Sequence, residues 1–333
     1  MSKPSVRMSS SIALILCCFT TASFADYESG RAEVSLSINN EIYPYSEFAT
    51  YVLPDEHLGM CVLTDDLSDL QITVTSGDID FIDDCRWIWT ASSEQGLSEI
   101  NVLRGSDVLI SLNVFVMTPA AELEDGRIGS TLIGEYPEPI EDNPIYLPPD
   151  GFIRVTEELV GIPVSPNFVL GQFVTKSNGE YPKYLVLRER LLLKLEVLLE
   201  RLNETGIEAE SLSIVSAYMT PAYNRSIGGE QHSRHIYGGA ATVIVDRDAD
   251  GRMDDLDENG VLNNRDGQFL FDLIDDLYSE PGKEYLRGGL FLYSGQNGPS
   301  VMLDARGFRK RWPNESEAPP LPENLRGKHK RNF

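Results

Sequence analysis

The sequence predicts an N-terminal all-β, sandwich-like domain followed by an α+β domain. Three observations carry that expectation. Residues 27 to about 117 alternate apolar and polar side chains with a period of two. Residues 118–150 break that pattern with prolines set among acids and glycines. Beyond 151, a leucine-rich helix gives way to strands and helices without a regular βαβ beat. The chain has 333 residues, enough for two domains with their own cores. The expected divisions are 1–25, 26–117, 118–150, 151–312 and 313–333.

The first 25 residues read as a secretory signal. Lys3 and Arg7 form a basic start, Ile12 to Phe19 a short apolar run, and Ser23-Phe24-Ala25 a cleavage site after Ala25. The apolar run is too short to cross a bilayer, which needs roughly 20 residues. No other stretch is long and apolar enough to span a membrane. An exported protein, periplasmic or extracellular, is expected. The formal net charge of −24 argues against nucleic acid as a partner, because it repels phosphate. It leaves the oligomeric state open.

The β region is marked by Val34–Ile38, Leu70–Val74 and Leu109–Val116, with Val52, Cys61–Leu63 and Trp87–Trp89 as further strand cores. Turn residues between them point to an antiparallel sandwich. Once the signal is removed, Cys61 and Cys85 are the two cysteines left. In an exported protein an even pair is most simply one disulfide; two buried thiols are the alternative. No catalytic constellation lies in this region, which reads as a binding or spacer module. The segment from Thr118 to Asp150, with Pro119, Pro137, Pro139, Pro144, Pro148 and Pro149, reads as an extended linker.

In the second domain, Tyr184 to Asn203 is expected as a core helix, with Leu187, Leu191, Leu195, Leu198 and Leu202 on one face. A strand over Ser211–Met219 leads through Thr220-Pro221 into a short helix ending at Gly228-Gly229. Ala241–Val245 reads as a buried strand, Gln268–Tyr278 as a second helix, and Gly288–Tyr293 with Val301–Ala305 as closing strands. Residues 313–333, rich in Arg and Lys, read as a solvated tail.

Asp246 to Asp257 follows a calcium-loop pattern. Asp246, Asp248 and Asp250 occupy positions 1, 3 and 5, and Gly251 supplies the sharp turn. Arg252 offers its main-chain carbonyl, and Asp254 and Asp257 complete the set with hard oxygen donors. A solvated acidic turn is the alternative on so acidic a chain. The expected role of calcium is structural.

Ser216-Ala217-Tyr218-Met219-Thr220-Pro221-Ala222-Tyr223-Asn224 and Ser233-Arg234-His235-Ile236-Tyr237-Gly238-Gly239-Ala240-Ala241 resemble the core of the peptidase M15 family. The resemblance extends to Val164–Phe173, the leucine helix, and Gly288-Gly289 through Val301–Gly307 and Trp312. That family includes zinc-dependent D-Ala-D-Ala carboxypeptidases and related peptidoglycan hydrolases. The resemblance implies a zinc held by a His, by an Asp seven residues on, and by a second His in a His-x-Asp strand. An open coordination position would then activate water for attack on an amide.

Here His235 fills the first position, but Thr242 and Met302 stand where the Asp and the second His belong. Met219 stands where an Arg would pair with a substrate carboxylate. Thr is a poor Zn²⁺ ligand, and a thioether favours softer ions. His235 therefore reads as a zinc remnant, with Asp304 as a possible companion. The implied protein is an M15-like chain without zinc catalysis, binding peptidoglycan, a cell-wall peptide or a protein. The alternative is an active zinc carboxypeptidase or endopeptidase with a rearranged site drawing on His232, Asp246 or Asp304. A purely structural spacer held by calcium is a third reading.

Overall fold

The computed structural model describes residues 27–312, apart from 40, 84, 177–178 and 296–297. The expected signal segment and basic tail lie outside the described residues. No helix among those described is long and apolar enough to cross a membrane.

Nine strands build two facing sheets. They are β1 (Arg31–Ile38), β2 (Glu41–Tyr45), β3 (Glu47–Val52), β4 (His57–Leu63), β5 (Leu70–Val74), β6 (Asp78–Asp83), β7 (Arg86–Thr90), β8 (Gly96–Arg104) and β9 (Asp107–Val116). One sheet has the order β2-β1-β4-β7-β6 and the other β3-β9-β8-β5. Alternation places Val34, Leu36 and Ile38 of β1 and Ile110, Leu112 and Val114 of β9 in the core. Trp89 is fully buried, and its indole N–H donates to the Ser76 carbonyl at 2.9 Å. Cys61 and Cys85 form a disulfide within one sheet, joining β4 to the turn before β7.

One pair departs from the expected antiparallel pattern: β3 runs parallel to β9. The chain passes from β2 into β3 through Ser46 alone, whose N–H donates to the Gly30 carbonyl at 2.8 Å. The strand thus switches sheets without reversing, and arrives beside β9 in the same sense.

The segment 118–150 is not an extended linker. Thr118–Pro119 pairs with the strand Gly151–Val155, so Pro119 lies opposite Gly151. Ile128 and Ile133 are buried. Proline denies this stretch ladder hydrogen bonds but leaves it free to pack. Nor does it separate two independent cores. Buried residues from both halves form one contiguous cluster. Asn113 Nδ2 donates to the Pro163 carbonyl at 3.0 Å, Thr50 Oγ1 to Glu189 at 3.0 Å and Tyr45 OH to Glu200 at 3.2 Å.

The second half holds α1 (Glu189–Glu204), α2 (Pro221–Ser226) and α3 (Asn264–Leu277). Its sheet orders the strands Ser213–Ser216, Ala240–Ile244, Gly298–Asp304, Gly289–Gly295 and Lys310–Arg311. Helix α1 starts later than the leucine spacing predicts. Lys183–Leu185 is instead a strand paired with Ile153–Val155, and Arg188, in extended conformation, caps the helix. Helix α3 starts earlier, because Asn263 and Asp266 form a capping box ahead of the apolar run.

Helix α1 carries a fully buried cation. Lys194 Nζ donates to Tyr278 OH at 3.0 Å and to the Asp304 carbonyl, and lies 4.5 Å from the Tyr278 ring centroid. Burial pushes its pKa down from the ordinary 10.5 to about 7. Between those values the unfolded chain holds a proton that the folded chain has lost. Unfolding free energy is therefore expected to rise with pH from about 7 to about 10.5. Denaturant titrations across that window measure the rise, and Lys194→Met is expected to flatten it.

Candidate functional site

The site grows from the strand Ser213–Ser216 and the residues that follow it. Thr220 caps α2, accepting from the Tyr223 N–H at 3.1 Å, with Pro221 at the first helical position. After α2 the chain turns through Gly228 into the 3₁₀ turn Arg234–Tyr237. Gly238 closes that turn at φ +67°, where any Cβ would strike the Val186 carbonyl. The chain then enters the strand Ala240–Ile244.

His235 is buried, with Nδ1 2.6 Å from the Ala217 carbonyl oxygen. A carbonyl only accepts, so Nδ1 carries the proton and Nε2 is the nitrogen left with a lone pair. Burial pushes the ring pKa below the ordinary histidine value, which favours the neutral form. A main-chain carbonyl that fixes the Nδ1 proton in this way is what holds the ring of a metal-ligating histidine in place.

The companions do not match it. Thr242 and Met302 are register partners on adjacent strands, so their side chains share one face of the sheet. Thr242 is fully buried, and its Oγ1 has no hydrogen-bond partner among the described residues. Met302 is 2% exposed and packs in a small cluster with Ala240, Phe291, Tyr293 and Trp312. Met219 is buried, and its N–H bonds to the His235 carbonyl at 3.3 Å.

None of Asp304, His232 and Asp246 fills the gap, and Asp246 groups with Asp248 and Asp254 and not with His235. Asp304 is fully buried; its Oδ1 accepts from the Gly289 N–H at 2.8 Å and from the Arg306 N–H at 3.1 Å. Arg306 also grips the carboxylate through Nε at 2.9 Å and Nη2 at 2.6 Å. Burial raises the Asp304 pKa, but the Arg306 guanidinium more than offsets that and holds the carboxyl below its usual range. His232 is spent elsewhere: its Nε2 donates to the Glu138 carbonyl at 2.8 Å, and its ring meets Tyr146 edge-on. One imidazole nitrogen, one hydroxyl and one thioether do not fit Zn²⁺, which wants three N, S or carboxylate donors and an open position. Among the described residues, the triads of metal-binding side chains are two acidic groups, and neither contains His235.

The first of these groups lies in the loop after the strand Ala240–Ile244, and the second joins that loop to Asp266 in the first turn of α3. Ligand oxygens of Asp246, Asp248 and Asp254 lie within 4.8 Å of one another. Asp246 accepts from the Asp250 and Gly251 N–H groups at 3.0 Å each, and Asp250 from the Arg252 N–H at 2.8 Å. Asp257, expected as the last ligand of this loop, belongs instead to the second group, with Asp255 and Asp266.

The cause is a repeat missed in the sequence. Asp255-x-Asp257-x-Asn259-Gly260 copies Asp246-x-Asp248-x-Asp250-Gly251 nine residues on. The backbone repeats too: Ala249 and Glu258 have φ of 58° and 53°, and Gly251 and Gly260 have 82° and 79°. Nine-residue periodicity in Asp and Gly was the available signal.

Residues 180–263 match the family model for Peptidase M15, so this stretch carries a peptidase M15 family domain. The match takes in α1, His235, Thr242 and both acidic loops, and stops short of Met302. No curated protein and no solved structure matches the chain.

Breaking the buried pair is expected to be costly. Arg306→Met leaves the Asp304 carboxylate buried and unpaired, with an expected loss of about 3–5 kcal/mol in denaturant unfolding. Replacing both partners, as Asp304→Asn with Arg306→Met, is expected to lose much less.

Proposed function

We propose that this chain is an exported, M15-fold protein that binds a cell-wall peptide or another polypeptide without zinc-dependent hydrolysis. The observation that carries the reading is the pairing of Thr242 with Met302 at the positions that the family fills with Asp and His. His235 keeps the orientation of a ligand, but a lone imidazole cannot lower the pKa of a water through a held metal. The engagement of Asp304 with Arg306 and of His232 with Glu138 supports the same reading, because both substitutes are already spent.

In this proposal calcium is the resident ion. The carboxylates of Asp246, Asp248 and Asp254 offer the hard oxygen donors it takes. Asp250 and the main-chain carbonyl of Arg252 stand beside them in the loop, and the second acidic group is a companion site. Calcium there would fix the segment between the strand Ala240–Ile244 and α3.

One measurement tests both halves. The purified full chain is analysed for bound metal, then assayed for cleavage of a peptide ending in D-Ala-D-Ala. Calcium without stoichiometric zinc, and no cleavage, is expected. Stoichiometric zinc together with cleavage that disappears in His235→Ala would establish the alternative, an active zinc peptidase.

A further inference from the structure

Residues 120–150 form an excursion that joins nothing distant. Its two ends already lie side by side, since Pro119 pairs with Gly151. A connection of that length between adjacent ends is uncommon in a compact fold unless the loop does something itself. What it does here is lie across α2 and the His235 loop.

The contact runs through the main chain of the excursion. The carbonyls of Ile133, Glu135, Glu138 and Ile145 accept, in order, from the Ala222 N–H at 2.9 Å, Arg225 Nη1 at 2.9 Å, His232 Nε2 at 2.8 Å and Arg234 Nη1. Every described main-chain hydrogen bond across this contact therefore has its donor on the groove and its acceptor on the strap. A peptide held this way needs no free N–H, so proline is tolerated; Pro137 and Pro139 lie within the held stretch.

Two tyrosines supply the side-chain anchors. Tyr136 OH lies 3.2 Å from Tyr218 OH, and its ring centroid is 5.8 Å from that of Tyr237. Tyr146 packs edge-on against Tyr237 and His232, with the Arg234 guanidinium 5.6 Å from its ring centroid. The approach is close: a Cβ on Gly134 would sit 2.7 Å from the Ala222 nitrogen. The groove also has donors that the strap leaves unused, for Arg234 Nε and the Tyr237 hydroxyl are buried without partners among the described residues.

We propose that residues 133–146 are a cis-bound occupant of a polypeptide-binding groove built from Tyr218, α2, His232, Arg234 and Tyr237. A proline-bearing peptide, extended as residues 133–139 are and turning as the 3₁₀ turns Ile140–Asp142 and Pro144–Tyr146 do, takes the same place in trans when the strap lifts. Recognition is through peptide carbonyls, with aromatic residues seated against Tyr218 and Tyr237 and a polyproline-like stretch confined to the extended part. The inference stands on the strap contacts and is independent of whether His235 holds a metal.

The test uses the full chain and a fluorescent synthetic peptide of sequence 133–146. Gly134→Ala forces the strap away, because Gly134 has φ +88° and no room for a Cβ. It is expected to speed hydrogen exchange at the Ala222 amide, bonded to Ile133, by at least about tenfold. It is also expected to tighten binding of the peptide by at least about tenfold, because the groove is no longer occupied. Adding Arg234→Ala is expected to remove that gain.

A second opening avoids the groove-facing residues. A specific protease site placed at exposed Ile140 lets the strap be nicked in the folded chain, with thermal unfolding as the check on folding. The nicked chain is expected to bind the peptide as Gly134→Ala does. An opened strap, by exchange or by nicking, with no gain in peptide affinity overturns the proposal. The readout is binding alone, so failure here leaves the metal and cleavage assays unaffected, and their failure leaves this one standing.

Discussion

The Asp304 carboxylate is the constraint on which the second half is built. A fully buried charge costs several kcal/mol unless it is paired and hydrogen-bonded, and here it is both. Arg306 neutralises it, and the Gly289 N–H takes one oxygen. Its main-chain carbonyl receives Lys194 from α1, so the same residue ties the central strand to the longest helix. Gly288 and Gly289 have no freedom to be anything else, since a Cβ on either would collide with Asp304. The cost of the arrangement is a cation in α1 whose proton is easily lost.

That scaffold role also decides the chemistry beside it. A carboxylate that satisfies an arginine and two main-chain amides has little left to offer a metal. Met302, two residues earlier on the same face, packs with aromatic rings rather than presenting a nitrogen. The Thr242 hydroxyl, which has no partner among the described residues, is then an orphaned polar group on that face. His235 is held ready, while the side chains facing it across the two strands are a hydroxyl and a thioether. The face nearby is occupied by the chain's own proline-rich strap, which suits a surface for holding peptide.

Much of the fold was legible because it rests on local periodicity. Alternation identified β1, β5 and β9, apolar residues marked β3, β4 and β7, and leucine spacing identified α1, while β2, β6 and β8 carried no signal that was read. The errors arose where tertiary pairing overrode a local pattern. Tyr184 and Leu185 fit a helical stripe, yet pair with Ile153 and Arg154 as a strand. Pro-rich 118–150 has the composition of a linker, but Ile128 and Ile133 are buried against the fold. The parallel β3–β9 pair depends on a sheet switch at Ser46 that no alternation signals. At the site, the residue types Thr242 and Met302 were readable from the chain alone. The grip of Arg306 on Asp304 was not, because it depends on burial. Asp257 fits position 12 of a calcium-loop template, yet groups with Asp255 and Asp266, in keeping with a nine-residue repeat that the template does not contain.

In the function we propose, two side chains, Thr242 and Met302, separate this site from a zinc centre. The most direct measurement is zinc affinity by competition with a chelator in the wild-type chain and in the double variant Thr242→Asp, Met302→His. The double variant is predicted to hold one zinc per chain on the order of a thousandfold tighter than wild type, because it regains two missing donors around a histidine that is already oriented. Equal zinc affinity in the two chains would contradict the account.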